Sequence, residues 1–212
     1  LWLDAADAST ITLNGSTVSQ WADKSGNARN ATQPTAASQP TYTSNGLGAK
    51  PALLFDGVKG MMSSLTAAPA IETIFVVYKV VYYPTNCTLL GASAQTGRQF
   101  RDLATTLQLL AQANYFIAQS VTLPTPVYQE VISGLAYNPT SVQFFVNGVA
   151  DPLQTVSTIT YLDTTTTIGY SGSSGGEGMI GYMSEIVVAN TLLSTTDRQK
   201  LEGYLAWKWG GV

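Results

Sequence analysis

Short β-prone runs recur along the chain, separated by clusters of Gly, Pro, Asn and Ser. That pattern predicts many short strands rather than helices. Residues 18–21 lead into Asp23-Lys24-Ser25-Gly26-Asn27, where polar side chains can bond their own backbone and turn the chain. Residues 51–55 form an apolar run stopped by Asp56-Gly57. The strongest strand signal spans 71–83, dense in Val, Ile, Phe and Tyr and closed by Pro84. Its near-uniform apolarity predicts a central strand covered on both faces. Residues 127–137 predict another long strand, and 142–146 reach Asn147-Gly148, a pair that accepts the positive φ angles of a two-residue hairpin turn. Residues 164–169 and Ile180–Ala189 complete the β-type segments.

The end of the chain follows another period. Ser194-Thr195-Thr196-Asp197 reads as a capping box. Leu201, Tyr204, Leu205 and Lys208 keep helical spacing, and Gly210-Gly211 provides the stop. The pattern predicts a helix over 194–209, docked through Leu201, Tyr204, Leu205 and one of Trp207 or Trp209. No composition break or internal repeat divides the chain. The expected fold is all-β, one domain over 1–212: a sandwich of two antiparallel sheets closed by a C-terminal α-helix.

Composition narrows the chemistry. Of 212 residues 11% are charged, less than half of the ~25% usual in soluble domains. There is no histidine and one cysteine, Cys87. This excludes Ser-His-Asp and Cys-His nucleophiles, histidine-ligated zinc, and any internal disulfide. Net charge is −3 without a basic run, so a nucleic-acid partner is not expected. The longest apolar stretch, 74–83, contains Lys79 and is about half of a membrane span, so no membrane insertion is expected. The chain opens Leu1-Trp2-Leu3-Asp4 without Met or a leader pattern, which reads as processed or excised from something longer. Abundant Thr and few charges lean towards an extracellular or virion setting. Three glycosylation sequons, at Asn14, Asn30 and Asn86, carry meaning only in a eukaryotic secretory host.

Two segments carry a resemblance. The opening Leu1-Trp2-Leu3-Asp4-Ala5-Ala6-Asp7, with Gln20-Trp21-Ala22-Asp23-Lys24-Ser25-Gly26-Asn27 and Ala31-Thr32-Gln33, resembles the N-terminal signature of laminin-G-like jelly-roll domains of the concanavalin A-like lectin/glucanase fold. The closing Gly181-Tyr182-Met183-Ser184-Glu185-Ile186, followed by residues 193–205, resembles that family's last strand and latch helix. Leu53-Leu54-Phe55-Asp56-Gly57 and Phe75-Val76-Val77-Tyr78-Lys79 match its middle strands. The resemblance implies the concanavalin A-like sandwich over nearly the whole chain. It points less firmly to function, since the family serves in bacterial surface proteins, secreted enzymes and phage or virion proteins.

Glucanases of this fold carry Glu-x-Asp-x-x-Glu on one strand. None of Glu72, Glu130, Glu177, Glu185 and Glu202 has that spacing, so a non-catalytic role is expected. Glu185 lies inside an apolar strand. It reads either as a ligand or acid–base carboxylate or, the favoured reading, as a structural one bonded to backbone donors or to a Trp indole near the terminal helix. Asp4, Asp7, Asp23 and Asp56 lie near strand ends, where related domains often hold calcium. Each also fits an ordinary turn. Residues 171–178 form a Gly/Ser-rich loop with no helix behind it to receive a phosphate, although Glu177 could reach a ligand. The stretch 79–116 holds what a sugar site needs. Tyr82, Tyr83, Tyr115 and Phe116 offer stacking faces, while Lys79, Arg98, Arg101, Asp102 and Asn114 offer polar partners. The competing reading places these aromatics in the core or on a sheet surface.

The expected function is a recognition module for surface glycan or another cell-surface receptor, in a phage fibre, virion or bacterial surface protein. Its rivals are a purely structural assembly protein and, behind that, a glycan-active enzyme. Residues 154–167 carry almost no charge or Pro to guard a strand edge. They are expected to lie in the contact of a homo-oligomer or larger particle, burying at least about 1,000 Å².

Overall fold

The protein is described by a computed structural model over residues 1–66, 71–83, 87–93, 98–111, 115–121, 129–157, 165–170 and 178–210. Among these, the first strands are β1 (Trp2–Asp4), β2 (Ile11–Asn14), β3 (Thr17–Trp21), β4 (Ala31–Thr32), β5 (Thr41–Leu47) and β6 (Lys50–Asp56). Next come β7 (Met61–Thr66), β8 (Glu72–Tyr82), β9 (Cys87–Ala92), β10 (Gln99–Asp102), β11 (Leu107–Ala111) and β12 (Tyr115–Gln119). The last are β13 (Val131–Asn138), β14 (Ser141–Val146), β15 (Val149–Ala150), β16 (Gln154–Thr155), β17 (Thr165–Ile168) and β18 (Ile180–Ala189), followed by helix α1 (Thr195–Trp209).

The strand pairings are antiparallel and form two layers. One layer runs β14–β13–β8–β18, with β6 and β1 sharing the far side of β18 and β5 beyond β6. The other runs β2–β3–β4–β7–β17–β9–β10–β11–β12. A single pairing, Thr17 to Thr41, joins them. Ile74, Val76 and Tyr78 of β8 meet Trp21, Met61, Leu89, Phe100 and Leu107 of the second layer in the main core. The intervening Phe75 and Val77 face the other way, packing with Ile132, Phe145, Leu205 and Trp209 beneath the helix. Strand β8 is therefore buried on both faces, as its uniform apolarity predicts.

Local chemistry sets the boundaries. Ser194 Oγ accepts from the Asp197 amide and donates to the Asp197 carboxylate, capping α1. Gly210, at φ +104°, ends it in the left-handed region. Asn147 and Gly148, both at positive φ, turn β14 into β15. Leu205 and Trp209 are buried and Leu201 and Tyr204 half-buried, whereas Trp207 is 82% exposed. The docking indole is thus Trp209.

One expectation is overturned. β17 is no edge: it is bonded to β7 on one side and β9 on the other, and Thr166, Thr167 and Ile168 are buried. A threonine-rich run needs no charged guard when neighbours take both rows of its backbone groups. β16 pairs with β14, and residues 158–164 lie outside the described residues.

Candidate functional site

The two ends of the chain meet on β18. β1 pairs with it antiparallel, setting Trp2 opposite Val187 and Asp4 opposite Glu185. At Ser184 the register of β18 against β8 slips by one residue. The slip lets Met183 and Ile186 both enter the core while Glu185 turns to the helix side.

Glu185 has no solvent exposure and accepts four hydrogen bonds. Trp2 Nε1 (2.7 Å) and the Tyr204 hydroxyl (3.0 Å) donate to Oε1. Lys208 Nζ (2.7 Å) and Trp209 Nε1 (2.7 Å) donate to Oε2. It is a structural carboxylate that takes two indoles, a full set of partners for a buried charge. Lys208 also pairs with Asp4 at 2.7 Å, and Asp4 in turn with Lys24 at 2.9 Å, which reaches Asp7 at 2.9 Å. Burial alone would lower both lysine pKa values, but these carboxylates and the Tyr204 hydroxyl raise them. Hydrogen bonds from Ser9 and Lys24 hold Asp7 down at about 2.

Around this network lies a cleft of about 620 Å³. Its lining includes Val187, Val188, Ala189 and Asn190 at the end of β18, Leu1 and Trp2, the turn residues Ser25, Asn27 and Arg29, and Leu201 and Tyr204 of α1. Asp23 builds the turn by accepting from the amides of Trp2, Ser25 and Arg29 and from the Ser25 hydroxyl. Burial works to raise its pKa, but those bonds prevail and lower it. Trp2 and Tyr204 stand edge to face, centroids 6.4 Å apart, each tied to the same Glu185 oxygen. Fixed aromatic surfaces beside amide, hydroxyl and guanidinium groups form a site that can stack an apolar ring face and bond its polar edges.

Of the described residues expected to form a sugar site, Tyr83 and Asp102 meet, and several others are buried in separate contacts. Alternation in β10 turns Phe100 and Asp102 to one face and Gln99 and Arg101 to the other, where both are also buried. Asp102 accepts from the hydroxyls of Tyr78 (2.7 Å) and Tyr83 (3.2 Å). Arg101 is buried and bonds Gln99. Arg98 is sealed against Glu72 at 2.7 Å. Lys79 follows the helix-side phase of Phe75 and Val77, and Tyr82 stands 59% exposed at the end of β8. Asn114, Glu177 and the side chains of Tyr115 and Phe116 lie outside the described residues.

The aspartates are likewise spent elsewhere. Both oxygens of Asp4 hold ammonium groups, Asp7 pairs with Lys24, Asp23 holds its turn, and Asp56 bonds the Val58 and Lys59 amides and the Lys59 side chain. Among the described residues no three acidic, cysteine or histidine side chains gather as a metal site. Lysines pair with Asp4, Asp7 and Asp56, and amides and a hydroxyl with Asp23.

Sequence reasoning missed the cleft although Trp2, Ser25, Asn27, Leu201 and Tyr204 all lie in the two signature segments. Its usable signal was that signatures from opposite chain ends must meet in one sandwich.

No protein-family model and no curated protein sequence matches the chain. Its fold is widespread, with 235 solved chains alike in structure. The CBM40 domain of the Ruminococcus gnavus IT-sialidase, bound to α2,3-sialyllactose, is 12% identical with a TM-score of 0.55, over 64% of this chain and 84% of that one. Domain 4 of AbnA, an extracellular GH43 arabinanase from Geobacillus stearothermophilus in complex with arabinotriose, is 13% identical with a TM-score of 0.59, over 77% and 81%. The receptor-binding domain of botulinum neurotoxin type G is 7% identical with a TM-score of 0.67, over 96% and 50%. At such identities the likeness is one of fold, the lectin-like β-sandwich.

Proposed function

We propose that this chain is a non-catalytic recognition module, of laminin-G-like type, that takes glycan in the cleft lined by Trp2 and Tyr204. The observation that carries the reading is the cleft itself: two anchored aromatic side chains facing a polar turn, over an apolar floor. The carbohydrate complexes of two fold neighbours support the ligand class. The engagement of the described glutamates supports the absence of catalysis: Glu72 with Arg98, Glu130 with the Gly48 amide, Glu185 with its four donors, Glu202 with Arg198. An extracellular or virion setting, and association into a homo-oligomer or larger particle that engages a cell-surface receptor, belong to the same reading. The low charge and the exposed Val58, Val121 and Trp207 support association.

A glycan array probed with the folded chain tests it, followed by titration of each retained sugar against tryptophan fluorescence. Retained sugars are expected to perturb Trp2 emission, and Asn190→Ala is expected to weaken them several-fold without loss of folding. A folded chain that retains no sugar overturns the proposal.

A further inference from the structure

Eleven residues line the cleft, and the charges among their side chains are unbalanced: one guanidinium, Arg29, and no carboxylate. The other cations at this end are already neutralised, Lys24 by Asp4 and Asp7, and Lys208 by Asp4 and Glu185. Arg29 differs. Its backbone amide is bonded to Asp23 and its carbonyl accepts from Ser63. Its guanidinium has no hydrogen bond or ion pair among the described residues, although the residue is half-buried. Arg29 itself lines the cleft wall. Asp23, which accepts from the Arg29 amide, is committed to three amides and a hydroxyl.

A planar guanidinium with five donors matches a carboxylate bidentately, and such charge-assisted pairs are the stronger class of hydrogen bond. From this we infer that the cleft prefers sugars bearing a carboxylate, with Arg29 as the acid's partner and Trp2 and Tyr204 as the ring platforms. The inference rests on the glycan reading of the cleft and adds the substrate class to it. A carboxylate in the cleft meets one unpaired cation and no like charge, whereas a cationic sugar meets repulsion without compensation.

The test is a matched titration of the folded chain with sialyllactose and lactose, which differ by the acidic sugar, repeated with Arg29→Gln and Arg29→Lys. The acidic ligand should bind the parent at least tenfold more tightly, and added salt should narrow that gap. Arg29→Gln should abolish the preference, bringing the two affinities to within twofold of each other. Arg29→Lys should keep part of it, since the charge remains and the fork is lost. Equal affinity of the parent for both sugars overturns the inference and leaves the glycan reading standing. A folded chain that binds neither sugar and retains no acidic or neutral glycan on an array overturns the glycan reading itself. The parent comparison decides the matter even if a variant folds poorly.

Discussion

Glu72 and Glu185 stand on adjacent strands, both fully buried, and are partnered in opposite ways: Glu185 through both oxygens, Glu72 through Oε2. Glu72 faces a single guanidinium, Arg98 at 2.7 Å, and one hydroxyl, Tyr137 at 2.9 Å. Arg98 reaches on to Thr166 of β17, so this pair clamps one layer of the sandwich to the other. Glu185 takes donors from β1 and three positions of α1, and so ties the two ends of the chain together. The first carboxylate is sealed within the core. The second orients both aromatic walls of a cleft. Equal burial therefore says little about role, and the origin of the donors says more.

The largest effect should come from breaking the sealed pair. Arg98→Ala leaves Glu72 buried without its cation and is expected to cost about 3–5 kcal/mol, read by denaturant unfolding. Glu72→Leu combined with Arg98→Met should recover most of that, because an apolar pair avoids the desolvation penalty. A double variant no more stable than the single one would contradict the clamp.

Titration separates the two regions further. Burial pushes the Glu72 carboxyl up, with Arg98 and Tyr137 opposing it. A carboxyl whose folded pKa is raised favours folding fully below its unfolded value near 4.5, and that contribution is lost as pH rises through the folded pKa. Asp7 has the opposite sign. Held at about 2, it adds stability above 3.8 that disappears as pH falls towards 2. Glu72→Gln should therefore flatten the slope above pH 4.5, and Asp7→Asn the slope between pH 4 and 2, in melts across that range. Exchanged slopes would reverse the assignment.

The hub should respond more locally. Glu185→Gln keeps the size but sets an amide against donors that need an acceptor, and about 2–3 kcal/mol should be lost. Hydrogen exchange in α1 should quicken before exchange in β8 does. Sugar binding should weaken with it, since Trp2 and Tyr204 lose their shared anchor. Uniform acceleration throughout the sandwich would mean that Glu185 holds the whole fold rather than the latch.

Much of this was legible in the residues. The uniform apolarity of β8, the Asn147-Gly148 turn, the Ser194 cap and the Gly210 stop each act within a few positions, where sequence speaks directly. The structural role of Glu185 also followed, because a carboxylate in an apolar strand needs donors and the terminal helix offered an indole. The phase of β18 did not, since the slip at Ser184 depends on two strands packing at once. The described residues of the supposed sugar stretch are spread for a related reason. Strand alternation and separate layers scatter neighbours in sequence: Lys79 follows the helix-side phase, Asp102 enters the core, and Arg101 is buried on the opposite face of β10. The cleft draws on residues near 1, 25, 190 and 204, and no local pattern joins those.

The smallest effect concerns two indoles separated by one residue. Trp209 is buried and donates to Glu185, so it belongs to the hub. Trp207, 82% exposed, has left the hub side of the helix altogether. Trp207→Ala should shift stability by no more than about 0.5 kcal/mol, the usual range for a surface position. Trp209→Ala instead removes a buried ring and one donor of Glu185, at about 3–5 kcal/mol. Thermal melts of the two variants side by side read the difference. An exposed indole costs little to the folded chain and gains its value only against something else. Sedimentation at micromolar concentration should therefore move with Trp207→Ala if copies associate through this face, while the melt stays where it was. A melt that falls with Trp207→Ala would place this indole in the latch after all, and would erase the contrast between the two faces of the helix.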